Sequence, residues 1–227
     1  GRPEFIAGKR TYPTSSEHKY YNSRSGRPSW QRATYRLRIR YEENRKMLRK
    51  LESFGAVPAS LPKDVLRQNV NTLESITTKL PDNYRDFLLH FGASILFNVT
   101  VVFRARQASP WADTKGFDSL ESLYGLCKGS NEYTVFEALD TYREDLHDQW
   151  LPIGASAGDN QICICLKGAL FGQVWYWDHE ADPVFNYAEV VSGMTKVANT
   201  FEEFIGLLES RDEEVDMSGV VKVDLDF

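Results

Sequence analysis

Cysteine, histidine and unbroken apolar sequence are all scarce in this chain, and each scarcity removes a class of function. Three cysteines occur, Cys127, Cys163 and Cys165. So odd and small a count makes no disulfide framework and points to a reducing compartment, so a cytoplasmic location is expected. Cys163 and Cys165 stand two apart in the apolar run ICICL, which on a strand puts both on one face. A structural zinc site would want paired C-x-x-C or Cys/His ligands, which are missing, so these cysteines read as small buried hydrophobes. No apolar stretch approaches the ~20 residues that span a bilayer, and no membrane association is expected. No signal-peptide core stands near the start. The chain opens at Gly1 without Met; a fragment is expected, and GRPEF is given no functional weight.

Catalytic sets are missing as well. The four histidines are His18, His90, His147 and His179. Metal-like ligands crowd together in one place, Asp178, His179, Glu180 and Asp182 in WDHEAD. A hard cation wants oxygen ligands at loop spacing, which this matches in part; a solvated turn after a strand is the favoured reading. IGASAGD (153–159) has two glycines and a serine at the spacing of neither a nucleophile elbow nor a phosphate loop. The chain is therefore expected to be no enzyme, with no metal and no cofactor.

Aromatic residues, in contrast, are plentiful at 13%, beside 42% hydrophobic and 26% charged. That balance describes a domain with a real core. Charge is unevenly spread. Residues 1–62 hold 14 Lys/Arg against 5 Asp/Glu, a balance of +9, and residues 63–227 hold 13 against 27, a balance of −14. An acidic excess over most of the chain argues against nucleic acid, whose phosphates need Lys and Arg. It suits a basic protein partner, because opposite potentials speed encounter and set specificity. A merely soluble, self-repelling surface is the competing reading.

Residues 1–29 are polar, carry Pro3, Pro13 and Pro28, and read as an irregular arm. Over 30–54, Trp30, Ala33, Leu37, Tyr41, Leu48 and Leu51 recur at helical spacing. Ala33, Tyr35, Leu37, Ile39 and Tyr41 also alternate like a strand; the lack of Gly and Pro favours the helix. AVPASLP (56–62) is a linker. A helix is expected from Asp64 to about Lys79, and a second one capped by Asp82 and stopped at Gly92. ILFNVTVVF (95–103) reads as a strand. Asp118 is expected to open a short helix, SLESLYGL, and Glu132 to about His147 another, exposing Glu137, Asp140, Glu144 and Asp145. ICICLKG and QVWYWD form a hairpin. Thr200 caps a last helix, FEEFIGLLES, with Glu203 placed for a capping box. The end, VVKVDLDF, alternates apolar Val221, Val223, Leu225 and Phe227 with Lys222, Asp224 and Asp226, and is expected to add a strand. Helices, then strands, then a helix make an α+β fold. Three segments are expected: a basic arm and helix (1–62), the α+β domain (63–211) and an acidic end (212–227).

Trp175 and Trp177 share one strand face, with Val174, Tyr176 and Asp178 on the other. Either the tryptophans form a partly exposed ridge with an acidic rim, as binding surfaces do, or they pack beneath a helix. The candidate partner-binding residues are Glu137, Asp140, Glu144, Asp145, Trp175, Trp177, Asp178, Glu180 and Asp182.

From Leu73 to Leu208 the order of motifs resembles the SUKH superfamily, which includes bacterial immunity proteins and fungal cell-wall-synthesis regulators. The entry signal reads TKLPDNYRDFLLHFG, with Leu80, Pro81, Tyr84, Phe87 and Leu88 in place. The central one reads WLPIGASAGDNQICICLKGALFGQVWYWDHE, covering Trp150, Pro152, Ile153, Gly154, Gly158, Asp159, Gly172, Val174, Tyr176, Asp178, His179 and Glu180. The closing signal is TFEEFIGLL. Gly92-Ala93 stands where the family often has Gly-Gly, and the first 60 residues have no counterpart. The resemblance implies a mainly antiparallel sheet flanked by helices, no catalytic residues, and a function as an immunity protein that binds and neutralises a cognate toxin. A regulatory or scaffold binding module is the alternative it leaves open. Nucleic-acid binding through Arg36, Arg38, Arg40, Arg45, Lys46, Arg49 and Lys50 is a further one, set against a plain solvated helix face.

Overall fold

The stretch whose spacing fits either helix or strand is a helix: α1 runs Ser29–Ser53 in the computed structural model, which describes residues 29–131, 133–186 and 189–211. The arm, Glu132 and the alternating VVKVDLDF segment lie outside the described residues. The chain divides into two units, Gly1–Arg40 and Tyr41–Phe227. In the first, Tyr35, Arg38, Ile39 and Arg40 are exposed. All that follows concerns the second.

There the end of α1 buries Met47 and Leu51 in the core, and Phe54 just past it joins them. Helix α2 (Lys63–Ile76) buries Leu66, Val70 and Leu73, one stripe at three- and four-residue spacing. Val65 and Ile76, of the same apolar set, stay in solvent. Helix α3 (Asp82–Phe91) buries Tyr84, Phe87, Leu88 and Phe91. Pro81, not Asp82, occupies its N-cap; Asp82 is the first helical residue, where its charge still meets the positive end of the helix dipole. Gly92 ends α3 at φ +71°, and a Cβ there would come 2.6 Å from Leu66 Cδ2. Turn geometry and packing thus both require glycine.

Strand β1 (Ile95–Phe103) is as expected, but Asp118–Leu123 is strand β2 and not a helix. Leu120 and Leu123, three apart, satisfy a helical spacing; pairing with β1 on one side and β3 (Trp150–Ala155) on the other overrides it. Helix α4 is shorter than expected, Val135–Thr141. Strands β4 (Gln161–Cys165) and β5 (Val174–Trp177) form the hairpin read from the sequence. A small pair, β6 (Val184–Asn186) and β7 (Glu189–Ser192), precedes β8 (Met194–Ala198), α5 (Phe201–Leu207) and β9 (Glu209–Arg211).

The main sheet has seven antiparallel strands in the order β8-β5-β4-β3-β2-β1-β9. Its two edges are β8 and β9, joined by α5, so that helix carries the chain from one edge to the other and seals a face on the way. Phe201, Phe204 and Ile205 of α5 are buried, with Phe201 against Tyr84 and Phe87 and Phe204 edge-on to Phe103. Thr200 caps α5 by accepting from the Glu203 N–H at 3.0 Å. The Glu203 carboxylate closes back on the Asn199 N–H at 2.9 Å, one residue short of a full capping box. The architecture is α+β, and no helix among the described residues is long and apolar enough to cross a membrane.

Candidate partner-binding site

Pleating sends successive residues of β4 and β5 to opposite faces. Ile162, Ile164, Val174 and Tyr176 enter the main core, while Cys163, Cys165 and Trp177 join Trp150 and Leu146 in a second, smaller cluster. Both β4 cysteines are fully buried, and burial pushes their thiols up. Trp175 is half-buried and meets Trp150 edge-on at 5.9 Å. Trp177 is 1% exposed, so of the two tryptophans Trp175 alone reaches solvent. The Trp177 indole N–H donates to the Ala181 carbonyl at 3.1 Å, pinning the loop that follows β5.

The lid of this cluster is Tyr142, just past α4, whose ring stands edge-on to Trp177 at 5.3 Å and 88°. Its hydroxyl accepts from Gln161 Nε2 at 3.0 Å, and Gln161 Oε1 accepts from the Tyr124 hydroxyl at 2.8 Å. Burial chiefly, with the fields of Asp159 and Asp145 among the lesser causes, raises the Tyr142 phenol above its ordinary range. Asn160, fully buried, accepts at Oδ1 from the His179 backbone N–H at 3.1 Å, which ties the loop after β5 to the turn before β4.

These ties bring two sequence-distant groups of acids to one rim. Asp140, Glu144 and Asp145 lie on or just past α4, and Asp178, Glu180 and Asp182 on the loop held by Trp177; all but half-buried Asp178 are exposed. Asp148 and Asp159, also exposed, extend the rim. Among the nearby cations, Arg143 and Lys167 are in ion pairs with Asp140 (3.7 Å) and Asp148 (2.5 Å), and Lys196 of β8 stands opposite Trp175. Glu137 differs from its neighbours. Its carboxylate accepts from the Thr134 N–H and hydroxyl, both at 2.8 Å, and these bonds hold it below the usual carboxylate range. It closes the capping box of α4 and faces Lys128 at 3.7 Å.

Sequence reasoning missed Tyr142, Asp148, Asp159 and the Asn160–Gln161 pair. The signal for the last was two amides directly before an apolar strand, a costly arrangement unless both are hydrogen-bonded. Asp159 sits at φ +60° beside Gly158, in the tight turn that aims the pair inward. Among the described residues no group of three or more His, Cys, Asp or Glu is placed to hold a metal ion.

Comparison with known proteins adds two findings. Residues 71–206 match the family described as SMI1 / KNR4 family (SUKH-1). The chain is also 29% identical over 194 residues to the SPbeta prophage-derived uncharacterized protein YokK of Bacillus subtilis (strain 168), covering 80% of this chain and 95% of that one.

Proposed function

Because the chain belongs to the SMI1/KNR4 family (SUKH-1), we propose that it is a non-catalytic cytoplasmic domain that binds and neutralises a basic toxin. The observation behind this reading is the acidic rim, where the segment from α4 to β3, the turn before β4 and the loop after β5 present eight carboxylates on the side of the Tyr142–Trp177 contact. Such a surface attracts a basic partner from a distance and rejects acidic ones. Its scaffold is rigid, since both acidic segments are anchored to the sheet by buried rings and amides, and a rigid surface loses little entropy on docking. A regulatory binding module would use the same surface without a toxin. Gene neighbourhood separates the two readings.

The test is coexpression with the product of the adjacent reading frame. That product should arrest growth alone and be silenced by this protein. Rescue should fail when Glu144, Asp145, Asp178, Glu180 and Asp182 are all replaced by Lys. A harmless neighbour that forms no complex, or rescue untouched by the reversal, would overturn the proposal.

A further inference from the structure

A groove of about 450 Å³ opens beside the acidic rim, between the end of α2 and the connection from α4 to β3. Ile76, Leu139, Tyr142, Leu146, Trp150 and Pro152 form its apolar part, and Arg143, Lys167 and Asp148 are among its polar lining. Trp150 and Leu146 belong to the buried aromatic cluster, so the floor is rigid. Ile76, like Val65, escapes the burial of its helix: it is 54% exposed, the last residue of α2, with its apolar surface facing water. On the edge of the groove acids outnumber the two cations, Arg143 and Lys167, each of which is already in an ion pair. Asp140 and Asp148 keep side-chain exposures of 81% and 85% despite their ion pairs, and Glu144 and Asp145 are exposed beside them.

An apolar socket whose edge carries net negative charge has the form of an interface hot spot, where one anchor side chain is desolvated and the charges around it set encounter and register. From this we infer that the groove receives an aromatic or large aliphatic side chain flanked by Lys or Arg, from a basic segment of a protein partner. The inference rests on the acidic-rim reading above and adds the anchor to it. The apolar floor and Ile76 make charge alone insufficient for tight binding. The rim makes an uncharged or acidic segment a poor occupant, because its approach would leave the carboxylates facing apolar or like-charged surface.

The probe is a synthetic peptide, Lys-Arg-Trp-Arg-Lys with blocked ends, titrated into the full chain labelled at its methyl groups. The peptide should shift the methyl signals of Ile76, Leu139 and Leu146, and the same peptide with Gly in place of Trp should bind about tenfold more weakly or worse. Ile76→Ser, a surface change that leaves the fold intact, should weaken the Trp peptide and leave the Gly peptide unaffected. Equal binding of both peptides, with the Ile76, Leu139 and Leu146 methyl signals moved no more by one than by the other, would overturn the anchor while leaving acidic docking in place. Groove methyls that stay still at millimolar peptide would overturn it too. Binding of Glu-Asp-Trp-Asp-Glu as tight as that of the basic peptide would contradict both the anchor and the acidic-rim reading.

Discussion

The two faces of β4 and β5 are packed by different material. One face, with Ile162, Ile164, Val174 and Tyr176, lies under α2, α3 and α5 in a core built almost wholly of Leu, Val, Ile and Phe. The other, with Cys163, Cys165, Trp175 and Trp177, lies under Tyr142, Leu146, Leu170 and a few hydrogen bonds. The first face has nothing left to offer a partner, since helices cover it. The second is covered thinly, with acids around its edge. The same pleat that closes the domain on one side thus holds the proposed docking surface in place on the other.

The comparison can be broken first at its stable side. Phe204→Ala removes a fully buried ring that meets Phe103 and Phe201, and should cost about 3–5 kcal/mol in a denaturant titration. A loss below about 1 kcal/mol would mean the helical face is not the main source of stability.

Asp118 tests the main core where it is least apolar. It is 3% exposed, Ser109 donates to its Oδ1, and its Oδ2 has no hydrogen-bond partner among the described residues. Burial, opposed by the Ser109 bond, raises its pKa. A raised folded-state pKa favours the neutral form, so its contribution is complete below the unfolded value of about 3.9 and is lost as pH rises through the folded one. The stability of Asp118→Asn relative to the natural protein should therefore climb from pH 4 to 7, as read by thermal melts at a series of pH values. A constant difference would contradict the assignment.

Tyr142→Phe sharpens the thin side. It keeps the ring on Trp177 and removes the acceptor for Gln161, for an expected loss of about 1 kcal/mol. Glu144→Lys with Asp145→Lys should move stability least, within about 0.5 kcal/mol, because neither side chain has an ion pair among the described residues. A larger loss would make the rim a structural feature.

Much of the thick side is legible in the sequence. The stripe Leu66, Val70, Leu73, the stop at Gly92, the β4–β5 hairpin and the Thr200 cap all follow from local spacing and turn chemistry. Strand β2 does not, because Leu120 and Leu123 suit either period and the choice is made by β1 and β3, distant in sequence. The site is legible in part. Alternation shows that Trp175 and Trp177 share a face, but the burial of Trp177 depends on Tyr142, 35 residues earlier. The acids of α4 are visible as a charged segment; that Glu137 serves its own helix cap needs the Thr134 geometry. Convergence of the two acidic segments is a tertiary fact, made by the Tyr142–Trp177 and Asn160–His179 contacts.

The measurement that bears most directly on acidic docking is the association rate with the proposed basic partner, the product of the adjacent reading frame, followed by stopped flow from low to high ionic strength. Steering by exposed charge is screened over roughly 10 Å at 0.1 M salt, so the rate should fall steeply with salt. Replacing Glu144, Asp145, Asp178, Glu180 and Asp182 by Lys should lower it at low salt and flatten the dependence. A rate that is flat across the range, or a steep dependence unchanged by those replacements, would contradict docking through this rim.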